Sequence, residues 1–139
     1  MILPQFYTDD IIKRAILEDI NYVDVASDYL ISEEQRNEAY FVSKADGVLC
    51  GIDVAMRVFE LLDDSFTAKV YMHDGDKVKK GDLIAEFSGK TTLLLKGERT
   101  ALNLLQHMSG IATATAKAVK LCEGTKASIA DTRKTLPSL

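Results

Sequence analysis

The sequence predicts a mixed α/β (α+β) chain: helices around a small, strongly bent antiparallel β structure, then a long helix and one further strand. Three observations carry this. Short apolar runs are separated by glycine-containing turns at Asp46-Gly47, His73-Asp-Gly-Asp76 and Lys79-Lys-Gly-Asp82, as in small antiparallel structures. From Glu98 to about Leu121 runs the longest helical periodicity in the chain. Residues 127–131, Ala-Ser-Ile-Ala-Asp, then read as a short apolar strand, with Arg133 and Lys134 beyond its C-terminal end.

Thr8 followed by Asp9 and Asp10 reads as a helix start, with acids in the first turn where the macrodipole favours them. Ile11, Ile12, Ala15, Ile16 and Ile20 continue at helical spacing, and Tyr22 to Ser27 reads as a loop. Ser32-Glu-Glu34 reads as a tight turn or a short helical turn. Alternation over Ala39 to Ser43, the Asp46-Gly47 turn and Val48 to Ile52 predict a hairpin. Asp53 to Leu62 is helical by pattern, with Val54, Val58, Leu61 and Leu62 on one face. Ala68 to Met72, Leu83 to Phe87 and Thr91 to Leu95 are expected strands, the last two parted by Ser88-Gly-Lys90. Gly97 is expected to close that region.

The long helix then buries Ala101, Leu105, Met108, Ile111 or Ala112, Thr115, and Ala118 or Val119. Gly110 in its middle costs about 1 kcal/mol against alanine, which points to close packing or a kink. Glu123-Gly124 ends the helix.

At 139 residues the chain holds one domain with a core but not also a complete βα barrel, which takes roughly 250 residues. A parallel strand needs a crossover of about a dozen or more residues to its neighbour, and too few follow residue 131. The sequence is therefore expected to be a truncated or deleted form, or a natural fragment, of a longer protein. Net charge −4 argues against a nucleic-acid surface but not against a local cationic site. No apolar run approaches the ~18 residues of a membrane span, and a cytoplasmic protein is expected. Cys50 and Cys122 lack metal-ligand or redox spacing and read as buried free thiols.

Two groups of residues are candidates for chemistry. Arg99 opens a polar stripe with Asn103, Gln106 and His107, which on spacing alone reads as a solvated helix face. Arg133-Lys134 reads either as surface charge or, given its place after a strand, as a ligand-binding loop. Arginine suits a planar carboxylate and lysine a phosphate or single oxygen, so a site holding both fits a ligand with several anionic groups. His73 reads as an exposed turn residue, and with two histidines and no Cys/His cluster a protein-bound transition metal is not expected.

The chain resembles the quinolinate phosphoribosyltransferase family of NAD biosynthesis, N-terminal half. The matching segments, in order, are Leu17-Glu-Asp19 with Asp24-Val-Ala-Ser27, Asp46-Gly-Val-Leu-Cys-Gly51, His73-Asp-Gly-Asp-Lys-Val-Lys-Lys-Gly81, Gly97-Glu-Arg-Thr-Ala-Leu-Asn103, Ser109-Gly-Ile-Ala-Thr113 and Asp131-Thr-Arg-Lys-Thr-Leu-Pro137. Where the family continues Leu-Pro-Gly-Leu-Arg, this chain has Ser138 and Leu139.

The resemblance implies an N-terminal α/β sandwich of barrel-sandwich-hybrid type over 1–109, and the first helix and strand of an incomplete α/β barrel over 110–139. It implies a reaction of quinolinate with phosphoribosyl pyrophosphate and Mg²⁺, giving nicotinate mononucleotide, pyrophosphate and CO₂. By resemblance, Arg99 reaches the quinolinate of a neighbouring subunit in a homodimer. Thr132, Arg133 and Lys134 are then substrate contacts, and the metal ligands lie in the other half. The fragment alone is expected to be inactive, and to associate or rearrange its C-terminal tail through uncovered apolar surface. Two other readings are open to the sequence. One is a lipoyl- or biotinyl-type carrier or interaction module, for which Met56-Arg57 is the nearest approach to a Met-Lys-Met site. The other is a sister phosphoribosyltransferase with another substrate.

Overall fold

The structure, a computed structural model, describes residues 4–20 and 25–134. Its elements are α1 (Gln5–Ile20), α2 (Val25–Leu30), β1 (Arg36–Val42), β2 (Gly47–Val48), α3 (Ile52–Leu62), β3 (Thr67–Val70), β4 (Lys77–Val78), β5 (Leu83–Lys90) and α4 (Thr91–Cys122). The mixed α and β fold expected from the sequence is what forms.

Strand β5 is the centre of a three-stranded antiparallel sheet, paired with β1 on one side and β3 on the other. β2 and β4 make a separate two-stranded ladder. One face of the large sheet carries Phe41 and Phe87, whose rings meet edge-on at 4.9 Å. Phe59 of α3 stacks on Phe87 at 5.0 Å and on Phe66 at 5.3 Å. This aromatic cluster is the core, closed by α4 through Leu94, Ala101 and Leu105 and by α1 through Ile12 and Ile16. The opposite face is exposed and polar: Tyr40 donates to Glu38, Tyr71 donates to Glu86, and Lys69 lies 4.8 Å from the Tyr71 ring.

Several boundaries differ from the sequence reading, each for a physical reason. α1 starts at Gln5, with Tyr7 N–H donating to the Pro4 carbonyl at 3.0 Å, so Thr8 is a buried helix residue rather than a cap. Residues 25–27 are helical, whereas the rest of the loop expected at Tyr22 lies outside the described residues. The expected hairpin does not form. β1 pairs with β5, and the 47–52 segment takes its hydrogen bonds elsewhere.

Those bonds come from side chains distant in sequence. Val48 N–H donates to Thr113 Oγ1 at 2.9 Å, and Cys50 N–H donates to Ser109 Oγ at 3.0 Å. Ser109 Oγ in turn donates to the Cys50 carbonyl at 3.1 Å. Two hydroxyls four residues apart on α4 thus stand in for a neighbouring strand. Asp74 Oδ1 accepts the N–H groups of Gly51 and Ile52 at 2.8 and 3.0 Å and caps α3 from a turn. Gly51 is left-handed at φ +95°, and a Cβ there would stand 2.6 Å from Met108 Sδ.

Thr91 to Leu95 is the first part of α4, not a strand, and β5 runs unbroken through Ser88-Gly-Lys90. Leu94, Gly97, Ala101 and Leu105 lie on one helical face against the core. Gly97 therefore does not end an element; it is buried where α4 crosses α3, and a Cβ would lie 2.8 Å from Phe59 Cδ1. Among the described residues nothing lies within 4 Å of a Cβ built at Gly110, so close packing against them does not explain it. α4 is exposed or half-buried beyond Leu105, with Ile111, Val119 and Leu121 largely exposed. It ends at Glu123 and the positive-φ Gly124, as the sequence predicts.

The expected strand at 127–131 is absent. Residues 123–134 are exposed and have no ladder partner in either sheet, and a strand without one leaves its backbone to water.

Asp63 joins three elements. Its N–H closes α3 on the Phe59 carbonyl at 2.9 Å. Its buried carboxylate accepts from Ser65 N–H at 2.9 Å, from Ser65 Oγ at 2.5 Å, and from Lys90 N–H, at the start of α4, at 2.8 Å. Burial pushes its pKa up, but those hydrogen bonds and the nearby Arg36 outweigh it, so the group lies below its ordinary 3.8.

The folded pKa being lower, Asp63 stabilises fully above about pH 4 and loses that contribution as acid titrates the folded form. The stability deficit of Asp63→Asn, measured by urea unfolding, is expected to be largest at pH 7 and to shrink toward pH 2; a constant deficit would contradict this. One substitution should also act with opposite signs along α4. Gly110→Ala should gain about 1 kcal/mol of helix propensity. Gly97→Ala should lose about 1 kcal/mol net, because Phe59, held between Phe66 and Phe87, cannot yield to the new methyl. Denaturant midpoints of the two variants check both signs.

Candidate functional site

The first turns of α4 carry two cations on consecutive turns, Lys96 and Arg99. Each meets an acid from a preceding helix: Lys96 Nζ pairs with Asp28 of α2, and Arg99 Nε lies 3.0 Å from Asp19 Oδ1 of α1. Arg99 Nε also donates to Asp19 Oδ2 at 3.2 Å. The Lys96 side chain is sunk at 17% exposure, whereas that of Arg99 stands out at 67%. Among the described residues, Arg99 Nη1 and Nη2 donate to nothing, so the outer edge of the guanidinium faces solvent.

Asn103, Gln106 and His107 are exposed along the same helix, as a solvated face would be. Gln106 also sits on the lip of an open apolar groove of about 960 Å³ between α4 and the β1–β2 segment, walled by Tyr40, Val42, Leu95 and Leu102. Lys44 and Lys117 border it.

No hydrogen bond or ion pair joins Arg99 to Thr132, Arg133 or Lys134 among the described residues. All three of the latter are exposed. Thr132 Oγ1 accepts the Lys134 N–H at 3.2 Å, a local turn contact, and the Arg133 and Lys134 side chains make no hydrogen bond or ion pair among the described residues. From Arg99 to the end of α4 at Cys122 the helix advances about 34 Å.

Other quoted segments serve the fold. The 46–51 and 109–113 segments are the two sides of the hydroxyl contact described above. In the 73–82 turns, Asp76 Oδ2 accepts His73 N–H and Asp82 Oδ2 accepts Lys79 N–H, each at 2.8 Å. His73 is exposed, as expected, and among the described residues no three His, Cys, Asp or Glu are placed to hold a metal ion. Cys50 and Cys122 are free and half-buried; burial, then the Asp74 carboxylate, pushes the Cys50 thiol up, which disfavours the thiolate. Met56-Arg57 lies in α3 rather than at a hairpin tip, and Arg57 is held by Asp9 and Glu60, leaving nothing to carry a prosthetic group there. No helix of the described residues is long and apolar enough to cross a membrane.

Asp19 lay in a quoted segment without an assigned role. One signal of it was legible: it sits in the last turn of α1, where the macrodipole disfavours an acid and no base accompanies it.

Residues 24–109 match the family model for the quinolinate phosphoribosyl transferase N-terminal domain. The chain is 40% identical over 129 residues to a probable nicotinate-nucleotide pyrophosphorylase (carboxylating) of Bacillus subtilis, an alignment covering 93% of this chain and 44% of that protein. The Mycobacterium leprae nicotinate-nucleotide pyrophosphorylase (carboxylating) is 39% identical, over 94% of this chain and 47% of its own length. In structure, the chain superposes on NadC from Streptococcus pyogenes with a TM-score of 0.91 and 38% identity, covering 97% of this chain and 49% of that one. It spans about half the length of these relatives. On its sequence and its fold alike, the chain belongs to the quinolinate phosphoribosyl transferase family and matches that family's N-terminal domain.

Proposed function

We propose that this chain supplies the N-terminal half of a cytoplasmic phosphoribosyltransferase. The enzyme joins quinolinate to phosphoribosyl pyrophosphate, with release of pyrophosphate and CO₂, to give nicotinate mononucleotide. Residues 1–109 form its sandwich domain and 110–139 begin its barrel. Mg²⁺ accompanies the polyphosphorylated donor; the described residues offer no donor set for it, so its ligands come from elsewhere. A sister transferase with another anionic substrate is the second reading, and the same cations would serve it.

In this reading Arg99 grips a carboxylate of quinolinate bound to a neighbouring subunit of a homodimer, while Thr132, Arg133 and Lys134 contact quinolinate bound by their own subunit. Two features support it. Arg99 keeps the outer edge of its guanidinium open, the geometry for end-on capture of a carboxylate. Arg133 and Lys134 are exposed and their side chains make no hydrogen bond or ion pair among the described residues, which leaves both cations available to an anion. Cations set against a dicarboxylate and a departing pyrophosphate do mainly electrostatic work.

The observation that carries the reading is the exposed, half-committed Arg99 on the family's domain. Titration of the pure chain with quinolinate, followed by NMR, tests it. Millimolar quinolinate is expected to shift the Arg99 resonances saturably. Arg99→Ala and Arg133→Ala are each expected to weaken binding about 10- to 100-fold, the value of one charge-assisted contact. Absence of binding, or unchanged affinity in Arg99→Ala, overturns it. The pure 139-residue chain is expected to form no nicotinate mononucleotide.

A further inference from the structure

We propose that Asp19 is a positioning residue for Arg99, holding the guanidinium by its Nε so that the Nη1/Nη2 edge is presented, pre-aimed, to a ligand carboxylate. This rests on the reading that Arg99 contacts quinolinate.

The chain contains an internal contrast. Arg57 meets Asp9 side-on, Nε to Oδ1 at 2.8 Å and Nη2 to Oδ2 at 2.9 Å, and Glu60 takes its Nη1 at 3.0 Å. That arginine is used on every side and serves the fold. Arg99 meets Asp19 through Nε alone, with both carboxylate oxygens converging on it at 3.0 and 3.2 Å. The same two residue types thus form one closed pair and one open pair.

The open pair is also asymmetric in depth. The Asp19 side chain is 25% exposed and that of Arg99 67%, so the acid is seated and the guanidinium tip projects. Asp19 is carried by a helix fixed at its other end by the Asp9–Arg57 pair and in its middle by Ile12 and Ile16. Neutralising α4 does not require it, because Lys96, one turn earlier, has its own acid in Asp28. An ion pair this exposed adds little stability. A free arginine carries several rotatable bonds, and fixing them before the ligand arrives removes that ordering cost from binding.

The test is the quinolinate titration of the 139-residue chain, with variants that separate orientation from mere folding. Asp19→Ala is expected to weaken binding about fivefold and to broaden the Arg99 Nε–H resonance. Asp19→Asn, whose amide oxygen still accepts from Nε, is expected to stay within about twofold of wild type. In an Arg99→Ala background, Asp19→Ala is expected to add nothing, since an aspartate that acts through Arg99 has no independent effect. Unchanged or tighter binding by Asp19→Ala overturns the proposal, as does an equal loss in both backgrounds. If Arg99→Ala itself binds like wild type, the functional reading has failed and this inference falls with it.

Discussion

Helix α4 approaches the rest of the chain more closely than side chains ordinarily permit, and the remaining geometry follows from that approach. At its first contact Gly97 lets the helix lie on the Phe59 ring. Further along, Ser109 and Thr113 come close enough for their hydroxyls to take the Cys50 and Val48 N–H groups. Two contacts of different kind, one apolar and one polar, fix both the axis and the rotation of a 32-residue helix. The direction in which Arg99 leaves the surface, the width of the groove under Gln106, and the point at which residues 123–134 depart all depend on this seating.

Part of the chain's acidity serves its own backbone. Asp46, Asp63, Asp74, Asp76 and Asp82 each accept at least one main-chain N–H. Carboxylates used this way replace the ladder partners and caps that such short strands and an uncapped α3 lack. What resembles a metal-binding richness of aspartates in the 73–82 region is therefore turn chemistry. The cations, by contrast, are unequally committed: Arg57 and Lys96 are held deep, whereas Arg99 is restrained at one atom and Arg133 and Lys134 are free among the described residues.

Much of the fold was legible from local rules. The glycine turns at 73–76 and 79–82, helix α3 and the end of α4 at Glu123-Gly124 fall where turn residues and periodicity put them. The failures share one cause, which is that the deciding partner is remote. Val48 to Ile52 alternates like a hairpin strand, but hydroxyls some 60 residues away and the Asp74 carboxylate claim its N–H groups. Thr91-Thr-Leu-Leu-Leu95 has strand-like composition, yet Leu94 continues the apolar face of α4. Residues 127–131 have strand composition and no strand to join. Of the candidate site, the cations themselves were legible as residue types at telling positions; the acid beneath Arg99 showed only as an unfavourable charge in the last turn of α1, because pairing across two helices leaves no spacing to read.

The bare half of α4 sets an angular requirement. Each residue advances the helix by about 1.5 Å and turns it by about 100°. Removing one residue between Thr113 and Cys122 would hardly shorten the rod, but it would swing the point where residues 123–134 leave it by more than a quarter turn relative to Arg99. Losing seven would nearly restore their bearing at a cost of about 10 Å in reach. A change of length in this stretch is thus felt first as phase and only then as distance.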